Sequence, residues 1–248
     1  MSDYDASTYG ERIASVFDAW AGSMPTADTV EFLAGMAGPG PVLELGVATG
    51  RIAIPLAERG LEVHGVEPSP AMLEELRAKP GGDRVHAIRG DLLDVDIAGR
   101  FSLVFAIGDT VFLLASQEDQ IRCFERAAAW LADGGAFVVE TIMPSAMLKR
   151  DPFLLVERVE ADEVRLHVGQ LDAARQRMSS AHVVLGADGV RLYPIQGRFA
   201  LTGELDLMAR LAGLRLRERW ADWKREPFTA RAFRQVSVYE RTPDAPPG

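Results

Sequence analysis

Cysteine is nearly absent from this chain of 248 residues, in which Cys123 stands alone. An intramolecular disulfide is therefore impossible, and a cysteine zinc cluster is excluded. Cys123 lies in IRCFERAAAWL, a helical pattern that predicts a buried, inert thiol. Long apolar runs are also missing, since none comes near the roughly 18 to 20 residues of a membrane span. The start, MSDYDASTYGER, lacks the basic start and apolar centre of a secretion signal, so the expectation is a cytoplasmic protein with no membrane partner. Basic residues number 27 against 36 acidic ones, for a formal net charge of -9. That balance argues against a nucleic-acid partner, whose affinity rests on Lys and Arg contacts to phosphate. The most basic stretch, RLRERWADWKR from Arg215 to Arg225, alternates charged with apolar residues and reads as one face of a strand. The 4 histidines and the acids show no metal-ligand spacing, so no metal is expected.

What is present is ordinary globular material, 48% hydrophobic and 25% charged. Between residues 10 and 150 short apolar runs alternate with helix-length segments, the order of a parallel sheet covered by helices. The runs predict strands at Pro41 to Leu45, Glu62 to Val66, Val85 to Arg89, Phe101 to Ile107 and Ala136 to Thr141. Helical spacing falls near Arg51 to Arg59, Pro70 to Ala78 and Gln117 to Leu131, and Asp133-Gly134-Gly135 reads as the turn into the fifth strand. From Asp151 to Leu201 the period changes to two, predicting three or four antiparallel strands with a hairpin turn at Ala187-Asp188-Gly189. Thr202 then reads as the N-cap of a helix closed by Gly213, followed by strands at Leu214 to Trp220 and Gln235 to Glu240. The expected organisation is a core over 1–150, an antiparallel insertion over 151–201, the last helix and strands of the core over 202–242, and a flexible tail over 243–248. The insertion either covers a substrate or makes a homodimer surface.

The informative turn is VLELGVATGRIA, from Val42 to Ala53. In an open parallel sheet the ligand sits outside the carboxyl ends of the strands, where strand order reverses, and the first turn is the place to look. Gly46 permits a turn with positive φ, Ala48 keeps the next position small, and Gly50 admits close approach. A dinucleotide fingerprint G-x-G-x-x-G would need a third glycine where Arg51 stands. Glu44 also places a carboxylate where a pyrophosphate would sit, and so favours a cationic or amine-bearing ligand. Further acids end the next strands: Glu67 in VHGVEPSPAML, Asp91 in IRGDLLD and Asp109 in FAIGDTVF.

With these residues in this order, the chain resembles class I S-adenosylmethionine-dependent methyltransferases, whose first motif is an acid followed by G-x-G-x-G. The resemblance implies an α/β, Rossmann-like, seven-stranded and mostly parallel sheet with helices on both faces, here with an antiparallel β insertion after the fifth strand. It implies S-adenosyl-L-methionine as cofactor, S-adenosyl-L-homocysteine as product, and a methyl transfer to O, N or C of a small-molecule acceptor. Glu67 beside Pro68 is then expected at the ribose hydroxyls, Asp91 beside Leu92 at the adenine, and Ile107 with Gly108 along the methionine portion. Tyr9, directly before a helix that Gly10-Glu11-Arg12 begins, is expected to close the pocket over the cofactor. The layout is also similar to amino-sugar N-methyltransferases of antibiotic pathways. A binding subunit or regulator that has lost catalysis is the alternative.

Methyl transfer is an in-line displacement, so positioning carries much of it and a base is needed only where the acceptor must lose a proton. The candidate bases are Asp109, His182 and His167, with Glu140 and Tyr193 behind them. Asp109 reads equally well as an N-cap. Phe112, Met143, Phe153, Tyr193 and Trp223 are the apolar and aromatic candidates for the acceptor site, each equally readable as core.

Overall fold

The computed structural model describes residues 4–21, 24–145 and 151–242, so the expected tail over 243–248 lies outside the described residues. Two helices, α1 (Thr8–Ala21) and α2 (Thr26–Ala37), precede the first strand. Then come β1 (Val42–Leu45), α3 (Ala53–Glu58), β2 (Val63–Glu67), α4 (Pro70–Ala78), β3 (Val85–Arg89), β4 (Phe101–Ala106), α5 (Gln117–Trp130) and β5 (Leu131–Ile142). Strands β6 (Phe153–Val159), β7 (Glu163–Asp172), β8 (Arg177–Gly186) and β9 (Gly189–Arg198) form the insertion. Helix α6 (Thr202–Leu211) and strands β10 (Leu214–Trp220) and β11 (Arg234–Arg241) complete the core. No described helix is long and apolar enough to cross a membrane.

The core sheet runs β10-β11-β5-β4-β1-β2-β3. Its five first strands are parallel and β11 enters antiparallel between β5 and β10. All four residues of β1 are buried, as expected of a strand covered on both faces. One face is packed by α5 and α6, through Phe124 and Leu205, and the other by α2, α3 and α4, through Leu33, Leu56 and Leu73. Chain order reverses between β1 and β4, so the crevice opens at their carboxyl ends.

Local chemistry explains most boundaries. Ser69 caps α4 by accepting the Met72 N–H at 3.2 Å, with Pro70 in the first turn where a missing N–H costs nothing. Ser116 caps α5 through the Asp119 N–H at 3.0 Å. Helix α3 starts at Ala53, later than Arg51, and Pro55 falls in its first turn, where its N–H is not needed. Asp133-Gly134-Gly135 is an irregularity inside β5 rather than a turn before it, with Gly134 at φ 74 and a register shift against β4. Thr202 is not the N-cap: extended Leu201 takes that place, its carbonyl accepting from Glu204 and Leu205, and the Thr202 hydroxyl faces Met143 Sδ at 3.7 Å. Helix α2 has no counterpart among the expected helices, although Val30, Leu33 and Ala37 make its buried stripe.

The insertion is a separate antiparallel sheet in the order β6-β7-β8-β9. Gly186 pairs with Gly189, leaving Ala187-Asp188 as a two-residue turn. Its register sorts the residues onto two unlike faces. On the inner face Val184 and Tyr193 pack against Ile13 and Ala14 of α1. On the outer face Val159, Val164, Leu185 and Val190 form one row across all four strands. Val156, Leu166, Val183 and Leu192 form the next, and Leu154, Val168, Ala181 and Pro194 the third.

Candidate active site

The turn after β1 is built as its composition suggests. Gly46 and Gly50 have φ of 78 and 82, and the Gly46 and Val47 N–H groups donate to the Val66 carbonyl. A Cβ at Gly46 would lie 3.0 Å from the Thr110 side chain, so only glycine keeps the loop against the segment after β4. Gly50 serves packing instead: a Cβ there would meet Ile54 and Leu76 at 3.0 Å, and Gly50 does not line the cleft. Ala48 also carries a positive φ, 47, a conformation that L residues other than Asn and Asp seldom adopt.

A single cleft gathers Tyr9, Glu44, Gly46, Ala48, Glu67, Pro68, Asp91, Leu92, Ile107 and Gly108 at the strand ends. Glu67 holds the loop together, its two oxygens accepting the Ala48 and Ser69 N–H groups at 3.0 Å each. Burial raises its pKa against those hydrogen bonds. Asp91 accepts the Leu93 N–H at 2.9 Å, so it orders its own turn as well as facing the cleft. Gly108 is held by Glu140, whose carboxylate accepts its N–H at 2.8 Å.

Glu44 is the unusual group. It is 3% exposed, its Oε2 has no partner, and burial pushes its pKa up to about 8 despite the nearby Arg51 guanidinium. An unpartnered carboxylate oxygen facing a cleft fits a ligand that brings a cation, and Arg51 on the same wall fits that ligand's carboxylate.

Helix α1 forms the lid of the cleft. A Cβ at Gly10 would fall 2.5 Å from the Ser69 side chain, so the helix can rest on the start of α4 only with glycine there. Glu11 clamps the contact by accepting from the Ser69 hydroxyl at 2.6 Å and the Ala71 N–H at 3.1 Å. Asp18 adds a second clamp, through the Thr49 hydroxyl at 2.6 Å and Lys79 at 2.5 Å. Tyr9 sits inside the first turn of α1 rather than before it, and burial raises its pKa, keeping the phenol neutral.

Comparison with known proteins agrees with this geometry. Residues 42–135 match the family model described as a methyltransferase domain. The cypemycin N-terminal methyltransferase of a Streptomyces species is 31% identical over 202 residues, covering 81% of this chain and 82% of that one. The chain belongs to the S-adenosylmethionine-dependent methyltransferases. The solved structure of the CcbJ methyltransferase from Streptomyces caelestis superposes with a TM-score of 0.91 at 41% identity, over 96% of this chain and 99% of that one. S-adenosylmethionine-bound CalS10 from Micromonospora echinaspora, an amino pentose methyltransferase, shares the fold with a TM-score of 0.65 at 23% identity, over 88% and 90% of the two chains. The methyltransferase is therefore of class I and of a natural-product type.

The candidate bases of this methyltransferase lie in two other places. Asp109 has φ 67 and turns inward, its carboxylate accepting the Ile142 N–H at 2.5 Å and facing Arg234 at 3.6 Å. It caps no helix, since the short turn Thr110–Leu113 shows no side-chain cap, and both its oxygens are engaged. Its pKa is raised by burial, with Arg234 opposing. Asp109 and Glu140 thus bracket Arg234 and shape the backbone that borders the cleft. His167 and His182 are directly opposite on β7 and β8, with rings stacked at 4.5 Å. His182 Nδ1 lies 3.0 Å from Glu157, and burial beside His182 pushes the His167 pKa down to about 4. Strand pairing therefore brings together two histidines and a carboxylate that no sequence spacing announced. Arg165 occupies the same Glu157 oxygen at 3.2 Å, supplying the positive charge there.

None of the five expected acceptor-site residues lines the cleft. Phe112 is buried in the core beside α5, and Trp223 packs edge-on against Phe32 at 5.4 Å on the far face of the sheet. Phe153 stacks edge-on with His167, Tyr193 with Trp20, and Met143 meets Thr202. The apolar wall of the cleft comes instead from Phe17, Met24, Met72, Leu113 and Leu114, with Tyr4 at its edge. Tyr4 donates its hydroxyl to the Pro194 carbonyl at 3.4 Å and accepts the Gln196 N–H at 3.2 Å, tying the N-terminal segment to β9. The signal for Phe17 was present, as the apolar face of α1. Nothing in the sequence says which face of α1 meets the cleft.

Proposed function

We propose that this methyltransferase methylates a nitrogen of a small natural-product acceptor, in the cytosol. The observation that carries the reading is the 31% identity to the cypemycin N-terminal methyltransferase over 81% of this chain, and the likeness to the CcbJ methyltransferase over 96% of it takes in the lid helix and the insertion as well as the cofactor core. The cypemycin enzyme, whose name places its methyl group on an N-terminus, supports nitrogen as the acceptor atom. A buried free thiol at Cys123, pushed up to about 12 by burial, suits a reducing compartment.

When bound, S-adenosylmethionine supplies an electrophilic methyl carbon on a sulfonium. In this reading Glu44 and Arg51 hold its amino-acid end, Glu67 the ribose and Asp91 the adenine amino group. The two backbone N–H groups on Glu67 leave lone pairs on both oxygens free to accept ribose hydroxyls. Tyr9, Phe17 and Met24 exclude water over the reacting face, where alignment at near-attack distance does most of the work. A neutral amine carries its own lone pair, so no base inside the cleft is required, in keeping with the engaged oxygens of Asp109.

The test is incubation with S-adenosylmethionine and a panel of amino-sugar, amino-acid and peptide amines beside phenols and alcohols, with mass spectrometry of the product. Methylation confined to the amines is expected. Methylation of hydroxyl or carbon acceptors alone would overturn the assignment to nitrogen.

A further inference from the structure

The amino ends of β2 and β3 lie at the opposite end of the sheet from the cleft, and strand pairing there builds a polar group that methyl transfer does not use. His64 of β2 and His86 of β3 are directly opposite in the parallel register, with ring centroids 4.7 Å apart. Glu62, two residues before His64, lies on the same side of the chain, and its Oε1 stands 2.9 Å from His64 Nε2. One ligand atom from each of the three residues lies within 4.8 Å of the other two. Glu62 and His86 are exposed, so the group opens to solvent, while Phe101 packs at a steep angle against the His64 ring at 5.2 Å and holds it in place.

We infer that Glu62, His64 and His86 form a surface site for a divalent transition metal, such as Zn²⁺ or Ni²⁺, that staples β2 to β3. Two imidazole nitrogens and a carboxylate oxygen are a donor set for such ions, whereas Mg²⁺ and Ca²⁺ take oxygen ligands. A tetrahedral ion with bonds of about 2.0 to 2.2 Å sets its ligand atoms about 3.3 Å apart. The ion therefore enters between His64 Nε2 and Glu62 Oε1 with a small side-chain shift and takes the place of their shared proton, and water completes its coordination from the exposed side. Among the described residues the one ion pair of Glu62 is with His64, so no Lys or Arg holds the place of the ion. The other triad of this kind, Glu157, His167 and His182, is the poorer site. Arg165 lies 3.2 Å from the same Glu157 oxygen that His182 approaches and stacks over Trp20 at 4.8 Å, so a metal ion there would meet a guanidinium already in place. The consequence of the staple is mechanical. Strand β3 is an edge of the core sheet, paired on one side only and in the parallel manner that is slightly weaker per residue. At their other ends these two strands lead to Glu67 and Asp91, so the ion anchors the pair that carries those acids without touching the cleft. Its histidine ligands must be neutral, so the site fills near neutral pH and empties in acid.

The experiment is calorimetric titration of the untagged full chain with zinc chloride at about pH 7.5, repeated with nickel chloride. The expected result is one ion per chain with a dissociation constant below about 20 μM, and no binding at about pH 5. His86→Ala and Glu62→Ala, both at exposed positions, each weaken binding at least about tenfold, whereas His182→Ala leaves it unchanged. In scanning fluorimetry excess zinc raises the thermal midpoint of the wild type, EDTA reverses the rise, and His86→Ala shows none. Binding weaker than that limit overturns the inference, as does an affinity that His86→Ala leaves unchanged or that His182→Ala removes. A thermal midpoint indifferent to zinc would overturn the staple.

Discussion

At Glu44 a carboxylate of a buried strand keeps one oxygen without a partner and a pKa near 8. Its ordinary value lies near 4.3, so between those limits the folded protein binds more protons than the unfolded chain. The contribution of this group to stability therefore falls as pH rises from about 4.5 to 8 and is flat beyond, the reverse of the usual carboxylate. A bound ammonium group favours the ionised form, so cofactor binding expels a proton across the same window. Calorimetric titration from pH 5.5 to 8.5 should show affinity for S-adenosylmethionine rising with pH until about 8, and Glu44→Gln should lose both the slope and most of the affinity. Two residues away from Gly46, Ala48 pays the cost of a left-handed conformation. Ala48→Gly should raise stability in urea unfolding by about 0.5–1 kcal/mol, less the extra freedom glycine gains in the unfolded chain, with cofactor affinity retained. These residues were legible in the sequence as a ligand turn because turn geometry and charge are local. The free oxygen of Glu44 was not, since partnership depends on what surrounds it.

The elements meet at Arg198, the last residue of β9. Its guanidinium donates to Gln120 of α5 at 2.6 Å, to Gln176 in the turn before β8, and to Glu204 of α6 at 2.5 Å. Gln120 returns a bond to the Arg198 carbonyl at 2.6 Å and another to Val111 at 3.0 Å. This buried network joins the insertion to the core. Burial alone would raise the Glu204 pKa, but the Arg198, Gln176 and Gln117 hydrogen bonds hold it below the usual range. Arg198→Met removes the cation that faces Glu204 and the donor to the Gln120 side-chain oxygen, and should cost about 3 kcal/mol in chemical denaturation. At this scale the first four parallel strands and α4 could be read almost to the residue, because their apolar runs are bounded by caps and glycines, whereas β5 begins five residues before the expected Ala136. Thr202 misled because its residue type suits a cap, while the chain entering from β9 made Leu201 the extended residue. The five acceptor-site candidates were chosen for apolar and aromatic character, and Trp223 and Phe112 went to the core, where that same character is equally useful.

For the whole molecule, the core sheet positions the cofactor cleft and the insertion sheet packs its inner face against α1, the lid of that cleft. The sequence by itself determined the class of the fold, the turn that receives the ligand and the acids at each strand end, because periodicity, turn chemistry and charge act over a few residues. Only the tertiary structure decided that one oxygen of Glu44 is unpartnered, that Gly10 lets α1 close the cleft, that Asp109 faces Arg234, and that His167 meets His182. Each of those depends on residues far apart in the chain being brought within a few ångströms, and a linear pattern carries no record of that distance.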